Sequence, residues 1–321
     1  MPQLVIGTRG SALATRQANG VRAALLSSHP GLEIRLEVIH TKGDKLTHGP
    51  LHKLGDKGLF TKEIEQALLE GRIDLAVHSL KDLPTRIAEG LALGAITARE
   101  DPADALVAKD ALTLEALPPG ATVLTGSLRR AAQVLHRRSD LKVLDVRGNV
   151  PTRLRKFDES PAQAIVFARA ALVRLALADR ITQRLDPSEF LPACGQGALG
   201  VEIRRGDERT SKLVRVLDDF ESCRACTAER AFLASLHGGC QVPVGAYARF
   251  TGDAPTLTIT GMVANLDGSR LLRRSVAAVV TANEEAQALG ERLAEVLRGE
   301  GCQGILDEVI SQSSRNAEQD E

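Results

Sequence analysis

Short apolar runs alternate with longer amphipathic ones through the first two-thirds of the chain. Gln3 to Gly7 reads as a strand, and Ser11 stands where a helix N-cap belongs, ahead of the long stretch Ala12 to Leu26. The rhythm repeats with the apolar Leu36 to Ile39, a helix from Lys62 with Ile64, Ala67 and Leu68 on one face, and a buried-type strand Ile73 to Val77. Strands alternating with helices predict a mostly parallel sheet. The polar stretch Arg99 to Pro102 interrupts this order. Strand Thr122 to Thr125, a helix from Leu128, and strands Val143 to Val146 and Ala164 to Phe167 then predict a second α/β domain.

Beyond Phe220 the pattern shortens to period two. Thr256 to Thr260 alternates Thr with Leu257 and Ile259, and Asp267-Gly268 offers a tight turn into Leu271. Thr281 and Glu284 match a capping box ahead of a helix whose one face carries Leu289, Leu293, Val296 and Leu297. These features predict a small C-terminal α+β domain with an antiparallel sheet. The tail from Ser311 is polar and reads as frayed.

Composition narrows the function classes. A chain of 321 residues exceeds what one hydrophobic core organises, so two or three domains are expected. Its 41 basic and 41 acidic side chains balance, which argues against a protein that coats nucleic acid or an anionic membrane. The N-terminus has no basic segment before a long apolar run, and no apolar stretch approaches the roughly 18 residues that span a bilayer. A cytoplasmic protein is the expectation. Five cysteines, an odd number, do not form a disulfide framework, so only local context can promote one of them to chemistry. Cys223 and Cys226 have the spacing of a redox pair or half a zinc site, but they fall within a predicted helix and lack a second matched pair. His78, just after a buried-type strand, reads as a hydrogen-bonded structural histidine.

The arginines are placed unusually. In TGSLRR, Ser127 is the natural N-cap after Thr125, so Arg129 and Arg130 occupy the first turn of a helix. Cations there oppose the helix dipole by roughly 0.3 to 1 kcal/mol each, a placement that makes sense if an anion docks on them. Arg9 and Ser11 repeat the arrangement, and Arg147 and Arg153 flank a third strand-to-helix loop. In open α/β sheets ligands bind beyond the carboxyl ends of strands, where these segments lie. Any single one of these arginines could be a solvated surface residue. As a set they suit carboxylates, which the guanidinium fork captures bidentately. Two such lobes would also describe a solute-binding protein or a regulator's effector domain, a reading that leaves the third domain without a purpose.

The motifs decide between these readings. TRGSALA at 8 to 14, KGLFTKEIE at 57 to 65, VHSLKDLP at 77 to 84, REDPADAL at 99 to 106, SLRR at 127 to 130, RGNV at 147 to 150, GQGALGVE at 195 to 202, AERAFL at 228 to 233 and GGCQVPVGAYA at 238 to 248 together resemble the porphobilinogen deaminase family in order and spacing. The resemblance implies two periplasmic-binding-protein-like α/β domains, at 1–98 with 198–216 and at 103–192. It also implies a cofactor-attachment domain at 220–310 and a flexible tail at 311–321. It implies an enzyme that condenses four porphobilinogen molecules head to tail, with loss of ammonia, on a dipyrromethane primer held by a thioether to Cys240. It further implies an enzyme that uses no metal and works as a monomer. Cys240 itself lies in a glycine-flanked loop with room around it.

By the same resemblance Arg9, Ser11, Lys57, Lys81, Thr125, Ser127, Arg129, Arg130, Arg147, Arg153, Arg174 and Gln196 bind the acetate and propionate groups of cofactor and substrate. Asp82 is the catalytic residue, a carboxylate that balances positive charge on pyrrole nitrogens and relays protons. Read alone, Asp82 could also shape a turn before Pro84. In FARAALVRL at 167 to 175, Arg169 and Ala171 stand where the family suggests small or apolar residues and a glycine, which weakens the assignment of Arg174. The loop Gly55 to Phe60 looks suited to a lid.

Overall fold

The computed structural model describes residues 3–41, 61–236, 242–252 and 255–318, with side chains as far as Gln312. The described residues form two compact units. The first lies within Met1–Thr47, Asp56–Asp101 and Gly195–Cys223, and the second within Pro102–Cys194 and Arg224–Glu321.

The first unit is built on β1 (Gln3–Thr8), which pairs in parallel with β2 (Glu33–Val38) and β3 (Leu75–Ser79). β4 (Leu91–Ile96) closes the far edge, and the sheet order is β2-β1-β3-β10-β4, where β10 (Leu199–Arg204) runs antiparallel to both its neighbours. Both faces are covered. Leu4, Ile6, Leu75 and Val77 meet Ala18, Val21 and Leu25 of α1 (Ala12–Ser28), while Val5, Ala76 and Leu91 meet Ile64, Ala67 and Leu68 of α2 (Lys62–Leu69). Burial on both faces explains why β1 reads as a continuous apolar run.

The second unit holds β5 (Asp104–Ala108), β6 (Thr122–Leu124), β7 (Lys142–Leu144), β8 (Ala164–Ala168) and β9 (Gln183–Leu185) in the order β7-β6-β8-β5-β9. β6 is parallel to β7 and β8, and β5 is antiparallel to β8 and β9. The two sheets thus share one plan of three parallel strands and an antiparallel fourth strand inserted before the last. The expectation of mostly parallel sheets holds, with one antiparallel strand in each. The antiparallel strands are the ones through which the chain enters the second sheet, at β5, and returns to the first, at β10. Helices α3 (Leu128–Arg137), α4 (Val150–Asp158) and α5 (Arg169–Arg174) follow β6, β7 and β8. α6 (Glu208–Val214) follows β10 in the first unit.

Also in the second unit, β11 (Val244–Thr251), β12 (Thr256–Ala264) and β13 (Leu271–Val279) form an antiparallel meander. Ala246, Leu257 and Ile259 pack with Phe232 of α7 (Phe220–Ser235), Leu289, Leu293 and Leu297 of α8 (Asn283–Gly299), and Ile305 of α9 (Cys302–Glu318). α8 crosses α7 so closely that a Cβ at Gly290 would meet the Ala228 carbonyl oxygen at 2.1 Å, which accounts for a glycine inside a helix. The cap of α8 is shifted one residue from the expected box. Glu285, not Glu284, accepts from the amides of Thr281 at 2.6 Å and Ala282 at 3.1 Å. α9 continues past Ser311 to Glu318, where the polar composition suggests fraying. Among the described residues no helix is long and apolar enough to cross a membrane.

Candidate active site

In the first unit β1 ends at the buried Thr8, and Arg9 follows half-buried. Ser11 caps α1, its Oγ accepting from the Ala14 amide at 3.2 Å. At the end of β3 the chain makes one 3-10 turn, Leu80–Asp82. Leu80 and Leu83 are buried and anchor this turn from beneath, so the residues between them face outward. Lys81 is half-buried, and Asp82 is exposed and without a partner among the described residues.

The Lys81 ammonium donates to Oε1 of Gln196 at 3.1 Å. Gln196 is fully buried, and its carbonyl accepts from Arg99 Nε at 2.7 Å. The Gly197 that follows has φ +97°, and a Cβ there would meet the Glu100 carbonyl oxygen at 2.2 Å. Only glycine permits this approach, so the GQG segment runs tight against the Arg99–Glu100 backbone where Gln196 meets Lys81. Nearby, Gln17 of α1 is buried and bonds Ser79 at 2.9 Å. A lone amide on the apolar face of α1 was the available signal for it. His78 meets Glu202 at 3.1 Å with both side chains buried, as expected of a structural histidine.

In the second unit Thr125 is buried and its Oγ1 accepts from the Ser127 amide at 3.2 Å, while Ser127 Oγ caps α3 by accepting from the Arg130 amide at 3.4 Å. Arg129 and Arg130 are where the pattern put them, in the first turn of α3, but they are buried rather than open to solvent. Their anion is internal. Arg129 Nη1 donates to Asp104 Oδ2 at 2.7 Å, and Arg130 Nε and Nη2 donate to Asp104 Oδ1 at 3.0 and 2.8 Å. Arg129 Nη1 also reaches the Leu191 carbonyl at 2.6 Å, and Arg130 Nη1 the Val166 carbonyl at 3.2 Å.

Burial alone would raise the Asp104 carboxyl, but Arg129 and then Arg130 overcome it and hold that group well below the usual carboxylate range. Burial lowers the Arg129 guanidinium, with Asp104 pulling it up and Arg130 pushing it down. Sequence reasoning quoted Asp104 only as part of a motif. Its signal was a carboxylate at the head of an otherwise apolar strand, Ala105 to Ala108.

The other expected arginines have other surroundings. Arg147 pairs with Asp145 at 2.8 Å beside the capping Asn149 of α4. The Arg153 guanidinium lies 5.0 Å from the ring centre of Phe167, a cation–π contact. Arg174 closes α5, half-buried, where the helix dipole favours a cation. Cys223 and Cys226 are buried in α7, and no group of acidic, His or Cys side chains among the described residues could hold a metal. Lys57, Cys240 and the Gly55 to Phe60 loop lie outside the described residues.

Comparison with known proteins gives one consistent result. A family model described as porphobilinogen deaminase, dipyromethane cofactor binding domain, matches residues 4–212, and one described as porphobilinogen deaminase, C-terminal domain, matches residues 223–299. The porphobilinogen deaminase of Synechococcus sp. (strain RCC307) is 51% identical over 318 residues, 98% of either chain. That of Syntrophotalea carbinolica is 52% identical over 303 residues, 94% of this chain and 95% of the relative. That of Chloroherpeton thalassium is 47% identical over 307 residues, 95% of this chain and 97% of the relative.

Proposed function

The chain belongs to the porphobilinogen deaminase family, and from that premise we propose which of its residues perform the condensation. The reaction joins four porphobilinogen molecules head to tail into a linear tetrapyrrole on a dipyrromethane primer, releasing ammonia at each step. Asp82 is the catalytic residue and Cys240 the point of primer attachment. The observation that carries the assignment of Asp82 is its exposed carboxylate, without a partner among the described residues, on a turn whose two leucines are buried in the core.

The side chains fit a ligand of this chemistry. It brings carboxylates and pyrrole N–H groups, and the chain offers Arg129, whose Nε and Nη2 donate to nothing among the described residues, and Asp82 as an acceptor. When bound, dipyrromethane supplies a pyrrole carbon nucleophile for the first condensation. Arg9, Lys81, Arg147, Arg153 and Arg174, with Ser11, Thr125 and Ser127, hold carboxylates. Lys57 belongs to this set by resemblance, and Gln196 serves it by seating Lys81. Holding the reacting carbons in line removes the entropic part of the barrier. Asp82 accepts the N–H of the reacting pyrrole. Its charge stabilises the cation that develops as the amine leaves, and it takes up the proton released from the ring. The equal count of 41 basic and 41 acidic side chains supports an enzyme without a nucleic-acid partner, and the reading as a cytoplasmic monomer follows from the family.

Intact mass tests the attachment. Protein purified from cells that make haem precursors should weigh two pyrrole units more than the bare chain, and Cys240→Ser should not. An active enzyme of unmodified mass would overturn the proposal.

A further inference from the structure

We propose that the cavity between α3 and the C-terminal meander is a binding site for a small aromatic monocarboxylate, with Arg273 as the group that receives its charge. Its walls all lie in the second unit, and none of its residues belongs to the set assigned above to primer and substrate.

The cavity measures about 220 Å³, a little below the range of drug-sized sites, so a ligand of one or two rings fits it. Its floor is apolar. Leu191 and Met262 are each 1% exposed, and Leu271 adds a half-buried side chain. A flat ring suits such a floor, and a methionine sulfur favours contact with an aromatic ring. The rim is polar, with His136 and Arg137 exposed. Helix and sheet are pinned at two places. Gln133 donates to the Leu191 carbonyl at 3.0 Å and accepts from the Leu191 amide at 2.7 Å. Near the end of α3 the turn between β12 and β13 presses on the helix, where a Cβ at Gly268 would meet the Ala132 carbonyl oxygen at 2.4 Å and His136 Nδ1 donates to the Gly268 carbonyl at 2.8 Å. The space between these two anchors is therefore preformed.

Charge selects the ligand. Arg137 is answered within the chain, by Glu189 at 2.9 Å and Glu115 at 3.6 Å. Arg273 is not. It donates through Nη2 to the Ser188 carbonyl, and among the described residues its Nε and Nη1 have no partner and its charge has no carboxylate within ion-pair distance. A half-buried guanidinium in that state has donors to spare for a carboxylate. The bond to Gly268 places the hydrogen of a neutral His136 ring on Nδ1, which leaves Nε2 as an acceptor. An aromatic acid with a ring N–H meets a counterpart for each of its parts: Arg273 for the carboxylate, Leu191 and Met262 for the ring, and His136 for the N–H. An inorganic anion would leave the apolar floor unused, and a neutral ring would leave Arg273 unanswered.

Indole-3-acetate has these parts, and the chain contains no tryptophan, so the fluorescence anisotropy of the indole reads binding without a background from the protein. The purified enzyme should bind it saturably with a dissociation constant of about 1 mM or lower, the affinity that a ligand of this size reaches. Neutral indole-3-acetamide should bind at least about 10-fold more weakly, and so should the acid to Arg273→Gln, each having lost one charge-assisted contact. Leu271→Phe, which builds a ring into the cavity, should abolish binding. Both variants should keep the wild-type turnover, which also shows that they fold. Saturating porphobilinogen should leave the anisotropy unchanged, because the two ligands use different residues. If Leu271→Phe does not fold, the amide and Arg273→Gln decide the matter. Displacement by porphobilinogen, undiminished binding to Arg273→Gln, or no saturable change up to about 10 mM, ten times the expected constant, would overturn the proposal.

Discussion

Two aspartates stand at strand ends in sheets of the same strand order, and their surroundings are opposite. Asp82 closes the turn after β3, exposed and without a partner among the described residues, whereas Asp104 opens β5, fully buried between two guanidiniums. Asp104 lies opposite Ala168, the last residue of β8, and the matching place in the first sheet, opposite Ser79 at the end of β3, holds Leu199. The neighbouring helices differ to match. α1 opens with Ala12, Leu13 and Ala14, and α3 with Leu128, Arg129 and Arg130. One scaffold position therefore takes a carboxylate only where the adjacent helix brings cations to meet it. A carboxylate free for chemistry has to sit on a turn outside the ladder.

Exchanging the two environments is the strongest way to break this comparison. Asp104→Ala strands two buried cations and should cost about 3–5 kcal/mol in denaturant unfolding. Leu199→Asp puts a carboxylate at the same ladder position beside a helix, α1, whose first turn brings no arginine, and should destabilise by a similar amount. A Leu199→Asp protein as stable as the wild type would mean that the position tolerates charge on its own.

Asp82→Asn should do the reverse. Turnover should fall about 100- to 1000-fold, equivalent to about 3–4 kcal/mol in the barrier, because a preorganised charge is lost from the developing cation. Stability should stay within about 0.5 kcal/mol, since the side chain is exposed. Asp82→Glu should keep more activity than Asp82→Asn. Turnover measured beside a thermal unfolding curve checks both, and normal turnover of the Asn variant would return Asp82 to the role of a turn residue.

Acid sharpens the contrast further. The Asp104 carboxyl is depressed in the folded state, so its stabilisation is complete above the ordinary aspartate value of about 4 and is lost as pH falls below it. The stability advantage of the wild type over Asp104→Asn should be constant above about pH 5. Below that it should shrink by at most about 1.4 kcal/mol per pH unit. An advantage that does not change between pH 5 and 2 would show that the ionised form is not what the arginines hold.

How much of this was legible in the sequence follows from what each residue meets. β1, the cap at Ser11, and the helices begun at Lys62 and Leu128 are local, written in apolar spacing and one capping side chain, and each forms where expected. β5 and β10 were not placed, and their antiparallel direction depends on where the chain enters each sheet, which no local pattern records. The turn bearing Asp82 was legible through a motif. The burial of Arg129 and Arg130 was not, because their partner lies 25 residues away in the case of Arg129 and 26 in that of Arg130. Cations at a helix start signalled correctly that an anion was needed. Periodicity could not say that the chain supplies one itself.

The smallest expected effect separates two uses of one hydroxyl. Ser11 and Ser127 hold matching places after β1 and β6, each accepting from the amide three residues on, at 3.2 Å from Ala14 and 3.4 Å from Arg130. A cap uses the oxygen only as an acceptor, so the O–H of each serine remains free to donate to a ligand carboxylate. Replacing either by Ala removes both functions and should cost about 1 kcal/mol of stability together with some activity. Ser127→Asp distinguishes them. Aspartate caps a helix about as well as serine and suits the dipole, so stability should return to within a few tenths of a kcal/mol of the wild type. The new negative charge cannot donate and repels a carboxylate, so turnover and primer loading should fall below those of Ser127→Ala. If Ser127→Asp regains stability and activity together, the hydroxyl only caps the helix and ligand recognition in this unit rests on the arginines alone.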